Sequence, residues 1–132
     1  MLDVQYISIY IACSPSKVYQ FASNPENLPR WAAGLTSTEL TRDGDVWVAE
    51  APFGRVAIRF AAQNPFGVMD HDVELESGTV VNNPMRVVSN GDGSELVFTL
   101  FRRGAMSDQE YAADKAAVET DLQTLKRILE AS

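Results

Sequence analysis

A chain of 132 residues, 45% of them hydrophobic, is long enough for one domain with a proper core and too short for two. Eighteen acidic against eleven basic residues leave a net charge of −7, which argues against a nucleic-acid partner, since such binding draws on clustered lysine and arginine. A single cysteine, Cys13, excludes an intrachain disulfide and suits a reducing compartment.

The first ten residues, MLDVQYISIY, carry an early acid, no basic flank and no small-residue cleavage site, so they do not read as a signal peptide. No apolar run approaches the roughly 20 residues of a membrane span. The expectation is a soluble, cytoplasmic protein whose residues 1–132 form one domain.

Leu2 to Ala12 reads as a strand, with Ile7, Ile9 and Ile11 on one face and Val4, Tyr6, Ser8 and Tyr10 on the other. Ser14-Pro15 is an N-cap followed by proline at the first helical position, and Asn24-Pro25 repeats that grammar ten residues later. Val18, Tyr19, Phe21 and Ala22 give the first helix an apolar stripe, and Leu28 and Trp31 sit on a second, very short one. Leu35 to Arg42 and Val46 to Ala51 predict a hairpin about Asp43-Gly44. Pro52-Phe53-Gly54 turns the chain into a strand from Arg55 to Gln63, and Asn64-Pro65-Phe66-Gly67 turns it again.

From Val68 to Glu76 the period is two: Met69, His71, Val73 and Leu75 alternate with Asp70, Asp72, Glu74 and Glu76. Thr79 to Asn90 reads as a strand interrupted at Asn82-Asn83-Pro84, because a proline cannot donate to a ladder. Asn90-Gly91-Asp92-Gly93 is a hairpin turn leading into a last strand from Glu95 to Arg102. Ser107 and Glu110 form a capping box. The helix it opens carries Tyr111, Val118, Leu122, Leu125 and Leu129 as an apolar stripe. These elements alone give an α+β domain with an antiparallel sheet.

The run IACSPSKVYQFASNPENLPRWAAG, with its strand, Ser14-Pro15, Asn24-Pro25-Glu26 and Trp31, resembles the opening of the START-like (SRPBCC) superfamily, in particular its polyketide cyclase/dehydrase-like branch. The order of strands and the closing helix extends the resemblance over the whole chain. It implies a helix-grip fold: a curved antiparallel sheet of about seven strands around a long C-terminal helix, with a cavity between them. The family shares no catalytic residues, so the resemblance assigns no active-site role.

His71 is the one histidine, and alternation sets it on an apolar face. An inward imidazole needs a hydrogen-bond partner or a wet cavity. It is either a satisfied core histidine or a group that orients a ligand or moves a proton. Asp114 and Lys115 border the helix stripe, where they either point into solvent or pair with His71 or a ligand atom. Arg102-Arg103, at a strand end, reads as solvated. Trp31, Phe53, Phe66, Met69, Met85, Phe101, Met106 and Tyr111 supply the apolar surface of a pocket or, equally, of an ordinary core. No metal-ligand spacing, phosphate loop or nucleophile elbow occurs, so no metal and no cofactor is expected.

The expected function is binding of a small hydrophobic molecule, aromatic or lipid-like, by Trp31, Phe53, Met69, His71, Met85, Phe101, Tyr111 and Lys115. The alternatives are a cyclase- or dehydratase-like enzyme with His71 as its proton carrier, and a protein-interaction module without a ligand. A monomer or homodimer is expected, without membrane span or nucleic acid.

Overall fold

The computed structural model describes residues 1–33, 35–36, 39–51 and 54–132. β1 (Val4–Ile11) pairs antiparallel with β8 (Gly93–Phe101), which pairs on its other side with β7 (Met85–Asn90). A second antiparallel sheet runs β2 (Thr41–Asp43), β3 (Val46–Ala51), β4 (Gly54–Phe60), β5 (His71–Leu75), β6 (Val80–Asn83) in that order. Between β1 and β2 stand α1 (Pro15–Ala22), a single 3-10 turn (Pro25–Asn27) and α2 (Leu28–Trp31), and α3 (Asp108–Ala131) closes the chain.

Pro84 is the corner between the sheets. It separates β6 from β7 and offers its carbonyl to the Thr99 amide at 2.9 Å, while having no N–H of its own to leave unpaired. The segment before β5 stitches the sheets together along β7: Met69 donates its N–H to the Met85 carbonyl, and Val87 donates to that of Gly67. The predicted strand from Thr79 is therefore two strands bent about Pro84, each half in a different sheet.

Several predicted strands are shorter than the sequence suggests, β1 and β4 by a few end residues and two others by more. The one drawn from Val68 begins at His71, because the Asp70 carboxylate, not a backbone carbonyl, accepts the Met85 N–H at 2.9 Å and interrupts the ladder. The one drawn from Leu35 is confined to Thr41–Asp43 among the described residues, because the Leu35 and Thr36 amides donate back to the Ala32 carbonyl and turn the chain. The turn predicted at Pro52-Phe53-Gly54 falls largely outside the described residues.

Local chemistry sets the helices. Ser14 accepts from the Lys17 amide and Asn24 from that of Glu26. At α3 the capping box is complete: Glu110 N–H donates to Ser107 Oγ at 3.1 Å and Ser107 N–H to Glu110 Oε1 at 2.9 Å. The far end of α3 is clamped by charge. Lys126 Nζ donates to the Tyr10 carbonyl, the Ala12 amide donates to Glu130, and Lys17 Nζ reaches the terminal carbonyls of Leu129 and Ser132. Tyr111, Leu122, Leu125 and Leu129 are the buried residues of α3, so between Tyr111 and Leu122 its inward stripe is interrupted. No helix among the described residues is long and apolar enough to cross a membrane.

Candidate functional site

Under that interrupted stretch of α3 lies a cavity of about 400 Å³. Asp114, Ala117, Val118, Asp121 and Leu122 form its ceiling, a set at the three-, four- and seven-residue spacings that share one helix face. Leu28 and Trp31 of α2 form one wall together with Ala32, its C-cap, and Leu35. The sheet supplies the floor: His71, Val73 and Leu75 of β5, Val81 and Asn83 of β6, and Phe98 and Leu100 of β8. Arg103 completes it, its guanidinium 3.7 Å from the Asp114 carboxylate.

His71 lies where three strands meet. It pairs across the sheet with Phe60 of β4 and Asn83 of β6, stacks on the Phe60 ring at 4.8 Å, and meets the Phe98 edge at 6.3 Å. Only 4% of it is exposed. Nδ1 lies 3.1 Å from the Met69 carbonyl, which can only accept, so Nδ1 carries the proton and Nε2 of the neutral ring is an acceptor. The Asn83 amide approaches Nε2 at 3.5 Å, the outer limit of a hydrogen bond. Burial lowers the imidazole's proton affinity below its ordinary value, more than the Met69 carbonyl and the Asp70 and Asp72 charges restore it. At neutral pH the cavity therefore holds an uncharged ring.

Asp70 points the other way and does structural work. Burial would raise its carboxyl, but the bonds from Arg86 (3.0 Å) and the Met85 amide outweigh this and hold it below the usual range.

Of the residues singled out in the sequence, the structure brings Trp31 and His71 to the cavity, with Asp114 between α3 and Arg103. Met69 and Met85 are fully buried beside one another in the sheet-to-sheet seam and do not line it. Tyr111 is buried at the end of α3, its phenol donating to the Leu100 carbonyl at 3.0 Å. Phe101 lies on the opposite face of β8, in a second cavity of about 300 Å³ with Leu2 and Val80. Lys115 is half-buried on α3 outside the lining, Phe66 is exposed, and Phe53 lies outside the described residues. Arg103, read as solvated, faces the cavity, whereas its neighbour Arg102 pairs with Asp108 and the Met106 carbonyl. Asn83 and Asp121 were not anticipated. The helical spacing of Asp114, Ala117, Val118 and Asp121 was the available signal for the ceiling.

Among curated proteins no match was found. Solved structures share the architecture at low identity. Protein XoxI from Bacillus cereus is 18% identical with a TM-score of 0.73, over 96% of this chain and 94% of that one. The Aha1 dimer from Colwellia psychrerythraea is 17% identical with a TM-score of 0.76, over 97% and 96%. DynU16, from the dynemicin biosynthetic locus, is 17% identical with a TM-score of 0.72, over 97% of this chain but 47% of its own. At such identities the likeness concerns the fold alone. The family described as polyketide cyclase / dehydrase and lipid transport matches residues 5–130. With the curved antiparallel sheets, the helix pair after β1 and the long α3 in place, the chain belongs to that family, within the START-like superfamily of helix-grip folds.

Proposed function

We propose that this protein binds a small hydrophobic molecule between the sheet and α3. The observation that carries the reading is the cavity of about 400 Å³, whose walls are mostly aliphatic and aromatic with a few polar groups converging on it. That size and composition are those of small-molecule sites, typically about 300–1,000 Å³. A packed core would have no reason to leave such a volume, since voids forfeit dispersion contacts.

Native mass spectrometry of freshly purified protein tests it, with Val118→Trp as the companion variant. Val118 is half-buried on the ceiling, so an indole there occupies the cavity. A co-purified small molecule on the wild type that is absent from the folded variant is the expected result. Equal retention by both would place the ligand elsewhere and overturn the reading.

A second reading, proton transfer on a bound substrate, is favoured by one feature of His71. Its Nδ1–H is fixed by the Met69 carbonyl and its Nε2 lone pair meets only the long 3.5 Å approach of Asn83 among the described residues, an arrangement that suits a general base. A pH–rate limb that disappears in His71→Gln would mark it. A pH profile unchanged in the variant would sink it.

A further inference from the structure

We propose that the split between β6 and the end of β8 is a second subsite, continuous with the cavity under α3, and that the molecule bound is elongated, with one apolar segment in each. The proposal rests on the ligand-binding reading above and extends its occupant through the sheet.

The bend at Pro84 opens the split. The β7–β8 register runs only as far as Met85 opposite Phe98, and the 2.9 Å bond from the Thr99 amide to the Pro84 carbonyl comes next along β8. Beyond it β6 follows β5 into the other sheet, while β8 continues to Phe101 paired with β1. Successive residues of a strand face opposite ways. Leu100 accordingly lines the cavity under α3, and Phe101 lines the second cavity, of about 300 Å³, on the far side. Three residues beside the gap, Val81, Asn83 and Arg103, line both spaces. The two spaces therefore meet at one shared wall.

Arg103 is the part of that wall most easily moved. Its guanidinium lies 3.7 Å from Asp114 with both side chains 39% exposed, and part-exposed ion pairs of that kind cost little to open. Swung toward solvent, the side chain leaves Val81 and Asn83 bordering a passage. The outer space also offers apolar surface for a chain to cover: Leu2 and Val80 line it 51% and 54% exposed, beside Phe101. Each space alone lies toward the lower end of the ~300–1,000 Å³ of small-molecule sites, and the two together lie well inside that range. An occupant confined to the inner cavity leaves the outer apolar surface wet, whereas a longer one covers it and gains from each methylene buried.

Linear primary alcohols from hexanol to dodecanol, titrated into the whole protein and followed by NMR, test this. Intermolecular Overhauser contacts from hexanol should reach the Val118 methyls and not those of Val80, whereas contacts from dodecanol should reach both. Affinity should rise about threefold to fourfold with each added methylene across the series. Val80 is 54% exposed and lines the outer space alone, so Val80→Trp fills that space without touching the inner cavity. In that variant the rise should stop short of dodecanol, while hexanol affinity stays within about twofold of wild type. If dodecanol binds with contacts to Val118 and none to Val80, the outer subsite is wrong while the cavity reading stands. That comparison needs only the wild type, so it survives a variant that does not fold. If the contacts reach Val80 without Val118, the outer space is a separate site and the continuity fails. An equal chain-length gain in wild type and in folded Val80→Trp also overturns it. If no alcohol binds and the Val118 methyl resonances stay still, the binding reading falls and takes this proposal with it.

Discussion

A single imidazole records how far residue-level reasoning reaches. His71 was legible because period-two alternation put one polar ring among Met69, Val73 and Leu75, an arrangement that has to be explained by a partner or a cavity. Its partners were not legible. Met69 supplies a backbone carbonyl, which every residue possesses, and Asn83 sits beside Pro84, where an asparagine reads as turn chemistry. Arg103 keeps part of its side chain in solvent, as its place beside Arg102 suggests, but it also lines the cavity beside Asp114, a neighbour that sequence adjacency does not reveal. A pH prediction belongs here. The folded imidazole's affinity for a proton lies below its ordinary 6.5, so as pH falls the unfolded chain takes up the proton first. Stability due to His71 is thus complete above 6.5 and declines as pH falls below it toward the lower folded value. The carboxylates with depressed values, Asp70, Glu110 and Glu130, lose their contribution only further down, as pH drops below their ordinary 3.8 to 4.5. Thermal melts of wild type should therefore weaken as pH falls below 6.5, before the carboxylates respond, and His71→Phe should flatten that part of the profile. An unchanged slope in the variant would show that the ring is not buried as described.

At the scale of elements, the helices were the easiest to read and the strand ends the hardest. Ser107 and Glu110 announce α3 through two reciprocal bonds within four residues, a purely local event that sequence records directly. Strand limits depend on what the neighbouring chain offers. Asp70 taking the Met85 amide through its side chain is a decision made between residues fifteen positions apart, and nothing in the run of Val68 to Glu76 announces it. The stripe of α3 likewise separates into two kinds of inward residue that look alike in sequence. Leu122 is 1% exposed, whereas Val118 is half-buried on the cavity ceiling. Leu122→Ala should cost about 2–5 kcal/mol in urea unfolding, and Val118→Ala clearly less because Val118 packs on the core only half-buried and is the smaller side chain. Equal losses would mean that the two positions are packed alike.

Across the whole molecule, the order of elements and the resemblance of the opening helix pair were enough to reach the family, because both are one-dimensional patterns. The division of the sheet at Pro84 was visible only as an interruption. That it sends the two halves of a strand into different sheets needed the register. The cavity itself was beyond composition, since the same apolar residues fill a core or line a void, and Met69, Met85 and Tyr111 do the former.

The interrupted stripe of α3 has a mechanical meaning. The helix bears on the sheet at Tyr111 and again from Leu122 onward, leaving ten residues, about 15 Å, between its supports. A hydrogen-bonded helix spans that distance as a beam spans a room, so the space beneath needs no pillar of side chains to stay open. Ala117 and Val118 hang from the middle of the beam and set the clearance, while Leu122, the first bearing beyond them, closes the edge of the ceiling. Ala117 and Val118 thus bear on capacity, Leu125 and Leu129 on stability, and Leu122 on both.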